Sequence, residues 1–256
     1  EGTRIIVFYP KNGVSKVQEM QMVTQTGDNV DVVAIHGNFD NAQSGVKAMF
    51  EDKKLAEELD KHGYQFSSAN SINIGRLVPQ VVYYVYAYAK LLDNEEIQPG
   101  EQINVVVPTG NFGNILAAYY AKNMGVPIAK LICASNENKV LFDFFQTGVY
   151  DRKDREFKLT TSPSMDILIS SNLERLIYQI AGCDDKKNAE LMQALKSEGV
   201  YEITDAMKAG LKDFAAGYAT EAQTAETIHD VYKKTGYVMD TNTAVAAHVC
   251  QEYQEN

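Results

Sequence analysis

The segment that most constrains this chain spans residues 102–114 and reads QINVVVPTGNFGN. Its β-branched run predicts a buried strand, and the run ends in a turn that contains two glycines. The apolar, alanine-rich residues 115–123 follow and predict a helix. A strand, a glycine turn and a helix N-terminus bring free backbone N–H groups and the positive end of the helix dipole to one point. The sequence therefore predicts an anion site that holds a small molecule with a phosphate group.

The two glycines of the turn, Gly110 and Gly113, allow several phosphate-binding turns to be compared. A Walker turn needs a lysine and a hydroxyl residue after its last glycine, whereas Asn114 and Ile115 follow Gly113. The dinucleotide fingerprint needs three glycines in a different spacing. A cofactor with a single phosphate, held by backbone N–H groups, fits the pattern. A tight strand-to-helix turn without a ligand fits it equally, so the turn alone leaves these two alternatives open.

Charge and cysteine usage exclude several kinds of partner. The formal net charge of the 256 residues is −10, and no cluster of basic residues interrupts it, so we expect no nucleic-acid partner. Cys133, Cys183 and Cys250 lie far apart without metal-ligand spacing, which predicts reduced thiols, a cytoplasmic protein and no metal site. No segment reaches the roughly 18 apolar residues of a membrane span, so we expect no membrane partner.

The hydrophobic periodicity divides the chain into a shorter and a longer α/β part. In the first part, strands at residues 4–9 and 30–35 alternate with a helix that Ser15 would cap and a helix over residues 40–60. This order is typical of a βαβα unit with parallel strands. We expect it to form a small α/β domain, residues 1–65.

In the second part, a helix over residues 74–92, kinked at Pro79, precedes the strand and the turn. The helix after the turn leads to a strand at residues 129–134, which completes a second βαβ unit. Helices are expected from there on, over residues 140–147, 165–181, 187–197, 206–215 and 221–235. We therefore predict a large α/β domain, residues 66–256, and for the chain a three-layer α/β/α architecture with mostly parallel sheets.

Three further segments accompany the turn: SANSINIGR at residues 68–76, SPSMDI at 162–167 and GYVMDTNTAVA at 236–246. Together with PTGNFGN, and in the same order along essentially the whole chain, they resemble the bacterial and fungal branch of the threonine synthase family. That family belongs to the pyridoxal-phosphate enzymes of the tryptophan-synthase β type. The resemblance implies fold type II, pyridoxal 5'-phosphate as the cofactor, and conversion of O-phospho-L-homoserine and water into L-threonine and phosphate.

The resemblance also implies which residues hold the cofactor. Backbone N–H groups would surround its phosphate, and they belong to Gly110, Asn111, Phe112, Gly113 and Asn114. Thr243 matches the family's hydroxyl residue that faces the pyridine nitrogen. Its residue type also fits the N-cap of a helix over residues 244–250. The family usually has Asp-Pro-His-Thr here, whereas this chain has Asp-Thr-Asn-Thr at residues 240–243, which keeps the hydroxyl and changes the loop before it.

On the substrate side, the resemblance points to Asn70, Ser71, Asn73 and Arg76. The guanidinium of Arg76 would form paired hydrogen bonds to the phosphate of O-phospho-L-homoserine. Considered without the family, Arg76 fits an ordinary exposed arginine. One more family segment includes Ser162, Met165 and Asp166, for which no role follows.

The family's Schiff-base lysine lies upstream of the segment that matches residues 4–9, and Lys11 matches an ordinary loop position. We therefore expect this chain to be a fragment that begins after the reactive lysine, ends before the family's C-terminal part, and is inactive alone. Two other functions stay open: a non-catalytic α/β module that binds a nucleotide or phospho-ligand, and another fold type II enzyme such as a dehydratase or cysteine synthase. The oligomeric state does not follow from the sequence.

Overall fold

The computed structural model describes residues 2–14 and 16–255, so Ser15 and its predicted cap lie outside the described residues. The chain forms two compact units, Glu1–Ser67 and Ser68–Asn256. The expected boundary, between residues 65 and 66, lies two residues before this division. That each unit is an independently folding domain stays a prediction. Within the described residues, no helix has the length and apolar character needed to cross a membrane.

Among its described residues, the first unit contains a two-stranded parallel sheet and three helices. In chain order they are β1 (Ile5–Pro10), α1 (Lys16–Val23), β2 (Val30–Ile35), α2 (Phe39–Glu51) and α3 (Lys53–Lys61). The single helix predicted over residues 40–60 is wrong, because it is interrupted at Asp52. The Asp52 carboxylate accepts hydrogen bonds from the backbone N–H groups of Lys54 (2.9 Å) and Leu55 (3.1 Å) and so begins a new helix.

The second unit contains nine helices and five strands among its described residues. In chain order they are α4 (Ile74–Leu77), α5 (Val81–Asp93), β3 (Ile103–Pro108), α6 (Gly113–Asn123), β4 (Ile128–Ser135), α7 (Val140–Thr147), β5 (Val149–Asp151), α8 (Leu173–Ile180), α9 (Asp185–Ser197), β6 (Val200–Glu202), α10 (Asp205–Ala209), β7 (Phe214–Tyr218), α11 (Glu221–Thr235) and α12 (Thr241–Glu255). Strands β3, β4 and β7 form a parallel sheet in that order, and β5 pairs with β6 antiparallel.

Both faces of the three-stranded sheet are covered by helices. On β4, Leu131 and Cys133 belong to the main core, which includes residues of α6, α7 and α8. The intervening Ile132 and Ala134 face the other way and share a second core with Val245 and Val249 of α12. Alternate strand residues therefore pack against helices on opposite faces, as a parallel sheet requires. The predicted α/β/α layers with parallel strands are confirmed in this unit.

Three predicted helices of this unit differ from the structure. The helix expected over residues 74–92 is interrupted at Pro79, which lies in a single 3-10 turn (Val78–Gln80) between α4 and α5. The helix expected over residues 206–215 ends at Ala209, and the chain then extends into β7, which pairs with β4. The helix expected over residues 165–181 begins only at Leu173, because residues before it form hydrogen bonds with distant segments instead.

Candidate cofactor and substrate site

The turn after β3 presents a group of free backbone donors. The N–H of Thr109 still bonds to the carbonyl of Ala134 on β4 (2.8 Å), and the N–H of Leu116 bonds to the carbonyl of Phe112 (3.1 Å). Between them, the N–H groups of residues 110–115 donate no hydrogen bond to any described residue. These donors lie at the N-terminus of α6, an 11-residue helix. Free N–H groups and the helix dipole together favour an anion at this point.

Phe112 fixes the shape of the turn. Its backbone is left-handed (φ 64°), a conformation that costs a non-glycine residue about 1–2 kcal/mol. Its ring is buried in the main core, with ring centroids 6.0 Å from Phe145 and 5.9 Å from Phe214. Burial of the ring offsets the backbone cost and holds the N–H group of Phe112 in the turn. Phe112 therefore has only its backbone to offer a ligand.

The two glycines of the turn are needed because protein atoms lie where a side chain would be. A Cβ on Gly110 would be 2.3 Å from the carbonyl oxygen of Ser164. A Cβ on Gly113 would be 2.9 Å from Oγ of Ser71 and 3.3 Å from Nδ2 of Asn172. The sequence suggested that these glycines admit a ligand. The structure shows that the missing side chains leave room for two neighbouring protein segments. The glycine pattern of the turn does not predict this packing.

The asparagine side chains of the turn are also engaged by protein. Asn114 donates through Nδ2 to Oε1 of Gln80 (2.9 Å), and its Oδ1 accepts the hydroxyl of Tyr84. The side-chain oxygen of Asn111 accepts the hydroxyl of Ser171 (3.3 Å). Burial raises the pKa of Tyr84, so this hydroxyl remains a donor at neutral pH. A bound anion would therefore meet the backbone N–H group of Asn114 rather than its side-chain amide.

The residues predicted on the substrate side form the turn that precedes α4. Asn70 accepts the N–H of Ile72 (3.1 Å), and Asn73 caps α4 by accepting the N–H of Gly75 (2.9 Å). Ser71 reaches the turn at residues 110–113, which we call the cofactor turn, since its Oγ lies beside Gly113. Arg76 is exposed, and no ion pair among the described residues includes it. The structure thus brings Ser71 to the turn and assigns Asn70 and Asn73 local structural hydrogen bonds.

Thr243 does not cap α12, so that alternative is wrong. Asp240 is the cap, since its Oδ1 accepts the N–H groups of Asn242 (2.9 Å) and Thr243 (3.1 Å). The hydroxyl of Thr243 donates to Oδ2 of the same carboxylate, and this bond is the main reason that the pKa of Asp240 lies below its usual value. Thr243 is exposed in the first turn of the helix. Because the Thr243 hydroxyl donates its proton to Asp240, it can only accept a hydrogen bond from a further partner.

The segment that contains Ser162, Met165 and Asp166 is held by a buried carboxylate. Asp166 accepts hydrogen bonds from Nδ2 of Asn136 (2.8 Å) and from the hydroxyl (2.7 Å) and N–H (3.0 Å) of Thr160. The hydroxyl of Ser162 lies 3.2 Å from the same asparagine nitrogen. Burial is the largest influence on Asp166 and raises the pKa of its carboxyl. Sequence reasoning found no role for these residues, and the structure shows a buried polar network that fixes a loop.

That loop contacts both halves of the predicted cofactor site. The carbonyl of Ser164 occupies the space beside Gly110, and the Ser164 hydroxyl donates to Oδ1 of Asn242 (2.6 Å). The hydroxyl of Thr241 in turn donates to the carbonyl of Thr161 (2.6 Å). The loop therefore connects the phosphate-type turn to the start of α12, where Thr243 lies.

Comparison with known proteins shows which chains this one is similar to. The chain is 44% identical to threonine synthase-like 1 of Homo sapiens over 253 residues, which are 98% of this chain and 34% of that protein. It is 39% identical to threonine synthase of Pseudomonas aeruginosa, over 97% of this chain and 50% of that protein. A crystal structure of PLP-bound threonine synthase from Brucella melitensis superimposes with a TM-score of 0.85 at 41% identity, over 98% of this chain and 52% of that one. The resemblance to threonine synthases is confirmed.

The Brucella melitensis structure also confirms the predicted α/β fold of type II pyridoxal-phosphate enzymes. No family model matches the chain. The chain spans about half the length of the threonine synthases that it matches, and about a third of the human threonine synthase-like protein. The comparisons do not test the individual site residues, so the roles of the turn, of Thr243 and of the substrate-side residues stay predictions.

Proposed function

We propose that this chain forms part of a pyridoxal-phosphate-dependent threonine synthase, a carbon–oxygen lyase that acts on a phosphate. The complete enzyme would convert O-phospho-L-homoserine and water into L-threonine and phosphate. The observation that carries the proposal is the set of free N–H groups at residues 110–115, at the start of α6. A phosphate dianion accepts several hydrogen bonds at once and gains from the helix dipole. Relatives named threonine synthase at 39% and 38% identity support it.

The residues present fit the cofactor in type, because residues 110–115 offer backbone N–H donors that bond to no described residue and Thr243 has an exposed hydroxyl side chain. Backbone N–H groups of residues 110–114 would hold its phosphate, and the hydroxyl of Thr243 would face the ring nitrogen. When bound, pyridoxal phosphate delocalises the negative charge that develops at the substrate's Cα and then its Cβ on proton loss. A neutral hydroxyl beside the ring nitrogen, unlike a carboxylate, leaves that nitrogen largely unprotonated. This moderates the electron withdrawal and suits elimination and replacement.

The substrate carries its own phosphate, so a second cationic or polar group is required. Arg76 is exposed and outside the described ion pairs, and so its guanidinium is available for paired hydrogen bonds to that phosphate. Ser71 would act from the turn beside Gly113. Asn70 and Asn73 would contribute by shaping that turn. A local arginine also offsets the repulsion that a net charge of −10 exerts on an anionic substrate.

No lysine of this sequence matches the family's cofactor-linked lysine, so we propose that this chain alone does not catalyse the reaction. All three cysteines are free thiols, which supports a cytoplasmic protein.

A substrate panel on the purified product of the complete gene tests the proposal. We expect phosphate and threonine from O-phospho-L-homoserine with pyridoxal phosphate present, and no product from serine, homoserine or O-acetylserine. Activity on unphosphorylated serine would instead favour a dehydratase. Tight nucleotide binding without binding of pyridoxal phosphate would favour a non-catalytic phospho-ligand module.

A further inference from the structure

We propose that Asn172 and Arg175 are positioning residues, which hold the substrate-side turn (residues 70–73) against the cofactor turn (residues 110–113). The identity of the two ligands rests on the proposed function, whereas the connection between the two turns does not. Sequence reasoning did not single out either residue. Both lie at the start of α8, a helix that the sequence placed in the middle of a longer one.

Asn172 is fully buried and joins the two turns directly. Its Nδ2 donates to Oγ of Ser71 (3.0 Å) and to the carbonyl of Asn111 (2.9 Å). Its backbone N–H donates to the same carbonyl (3.0 Å). A buried amide with its donors satisfied by two distant segments fixes their separation, because moving either segment leaves a polar group unpaired at a cost of about 1–3 kcal/mol.

Arg175 adds further hydrogen bonds to the same connection. Its Nη2 donates to the carbonyl of Ile72 (2.7 Å), and its Nη1 lies 3.4 Å from the carbonyl of Ser71. The same guanidinium donates to Oδ1 of Asn172 and so orients that amide. The planar fork of an arginine can serve these three acceptors together, which a lysine ammonium on a flexible stem cannot do in the same geometry.

The charge of Arg175 is not neutralised by a carboxylate, since no ion pair among the described residues includes it. Burial raises the pKa of Tyr120 on α6, and the positive charge of Arg175 partly lowers it again. The guanidinium of Arg175 therefore lies near α6, the helix that begins at the cofactor turn. The turn itself contains no lysine or arginine. Arg175 therefore adds a positive charge close to a site that otherwise relies on backbone dipoles.

The two turns are far apart in sequence, yet they touch where Ser71 meets Gly113. A reaction that joins a bound cofactor to a bound substrate depends on their relative placement, and a displacement of about 1 Å can lower the rate 100-fold. A connection that fixes this placement without touching either ligand is the role that we assign to Asn172 and Arg175.

The test compares Arg175→Gln and Arg175→Lys with Arg152→Gln in the complete gene product. Arg152 is a matched control, because it is also half-buried and also donates to a carbonyl, that of Leu195 (3.3 Å), away from both turns. Hydrogen exchange measures the protection of the N–H groups of Ile72 and Asn73, which bond within the substrate-side turn. Titration with pyridoxal phosphate and the KM and kcat for O-phospho-L-homoserine complete the set.

We expect Arg175→Gln to speed exchange at Ile72 and Asn73, to raise KM by about tenfold and to lower kcat by up to about 100-fold, because the two turns lose their relative placement. Arg175→Lys keeps the charge and loses the fork, so its exchange should match Arg175→Gln while its affinity for pyridoxal phosphate stays closer to wild type. Arg152→Gln should leave all three readouts within twofold of wild type.

The positioning role would be overturned if Arg175→Gln and Arg152→Gln had the same exchange rates and the same KM. That result would leave the proposed function intact. If the wild-type protein binds no pyridoxal phosphate, the proposed function fails instead. The exchange measurement at Ile72 and Asn73 then still decides whether Arg175 connects the two turns.

Discussion

The cofactor turn and the start of α12 are held in contrasting ways, although both belong to segments that resemble one enzyme family. Phe112 and Gly113 of the turn are buried, and the turn contacts Ser164, Ser71 and Asn172. Thr243, by contrast, is exposed and bonds to a single exposed carboxylate. The comparison indicates that the predicted phosphate end of the site is preformed by the packing of buried residues, whereas the hydroxyl predicted to face the ring nitrogen lies on an exposed side chain and donates to an exposed carboxylate.

The largest loss of stability is expected from a substitution at Gly110, the most closely packed position of the cofactor turn. Gly110→Ala would place a Cβ 2.3 Å from a backbone oxygen that cannot move without displacing the 160–166 loop. We expect a loss of about 2–3 kcal/mol in the free energy of unfolding, measured by urea denaturation, together with weaker binding of pyridoxal phosphate.

Gly45→Ala is the control for this substitution. Gly45 is exposed within α2 and has no atom within 4 Å of an added Cβ, so we expect a gain of about 0.5–1 kcal/mol. A Gly110→Ala protein as stable as wild type would show that the turn is not rigidly packed, and the contrast with α12 would disappear.

An intermediate effect is expected at Asp166, which supports the loop between the two regions. Asp166→Asn would remove an acceptor from the N–H of Thr160 and cost about 1–3 kcal/mol at acidic pH. Burial raises the pKa of Asp166 in the folded protein above its ordinary value of 3.8. As pH rises from 3.8 through the raised pKa, the wild type therefore loses the stabilisation that the protonated Asp166 provides. Asparagine does not titrate, so the variant shows no such loss. The stability difference between the two proteins should therefore shrink from acidic to neutral pH, measured by thermal unfolding across that range. A difference that grows with pH would contradict the burial argument.

The smallest change in stability is expected from a substitution at Thr243, which is exposed at the start of α12. Thr243→Val would remove the hydroxyl that lowers the pKa of Asp240, and we expect a stability change below about 0.5 kcal/mol at neutral pH. Since that pKa lies below its ordinary value of 3.8, the wild type keeps the stabilisation above this value and loses it as pH falls through the lowered pKa. When unfolding is followed by fluorescence, the free energy of unfolding of the variant should therefore fall less steeply with decreasing pH than that of the wild type. A large loss at neutral pH would show that this end is also rigid.

The sequence predicted the parts of the fold that local pattern determines. Residues 102–123 show a strand, a turn and a helix whose periodicity and glycines agree with one another, and the structure has all three. It failed at β7, where Ala215, Ala216 and Gly217 carry little strand propensity. That strand is determined by pairing with β4 and by contact between Gly217 and Val249, which are distant in sequence.

The same distinction applies to the site. The N–H donors of residues 110–115 follow from a local motif, and so they could be predicted. Asn172 and Arg175 act through hydrogen bonds to residues about 60 to 100 positions away, and Asp166 through an amide about 30 positions away. A helical periodicity cannot show such long-range pairing, which also explains why residues 165–172 were wrongly predicted as helix.

A crystal structure of the complete gene product with pyridoxal phosphate tests the central claim most directly. The account predicts that phosphate oxygens lie within hydrogen-bond distance, about 2.7–3.2 Å, of backbone nitrogens of residues 110–114. A cofactor whose phosphate binds elsewhere, with these nitrogens facing solvent or protein, would contradict it.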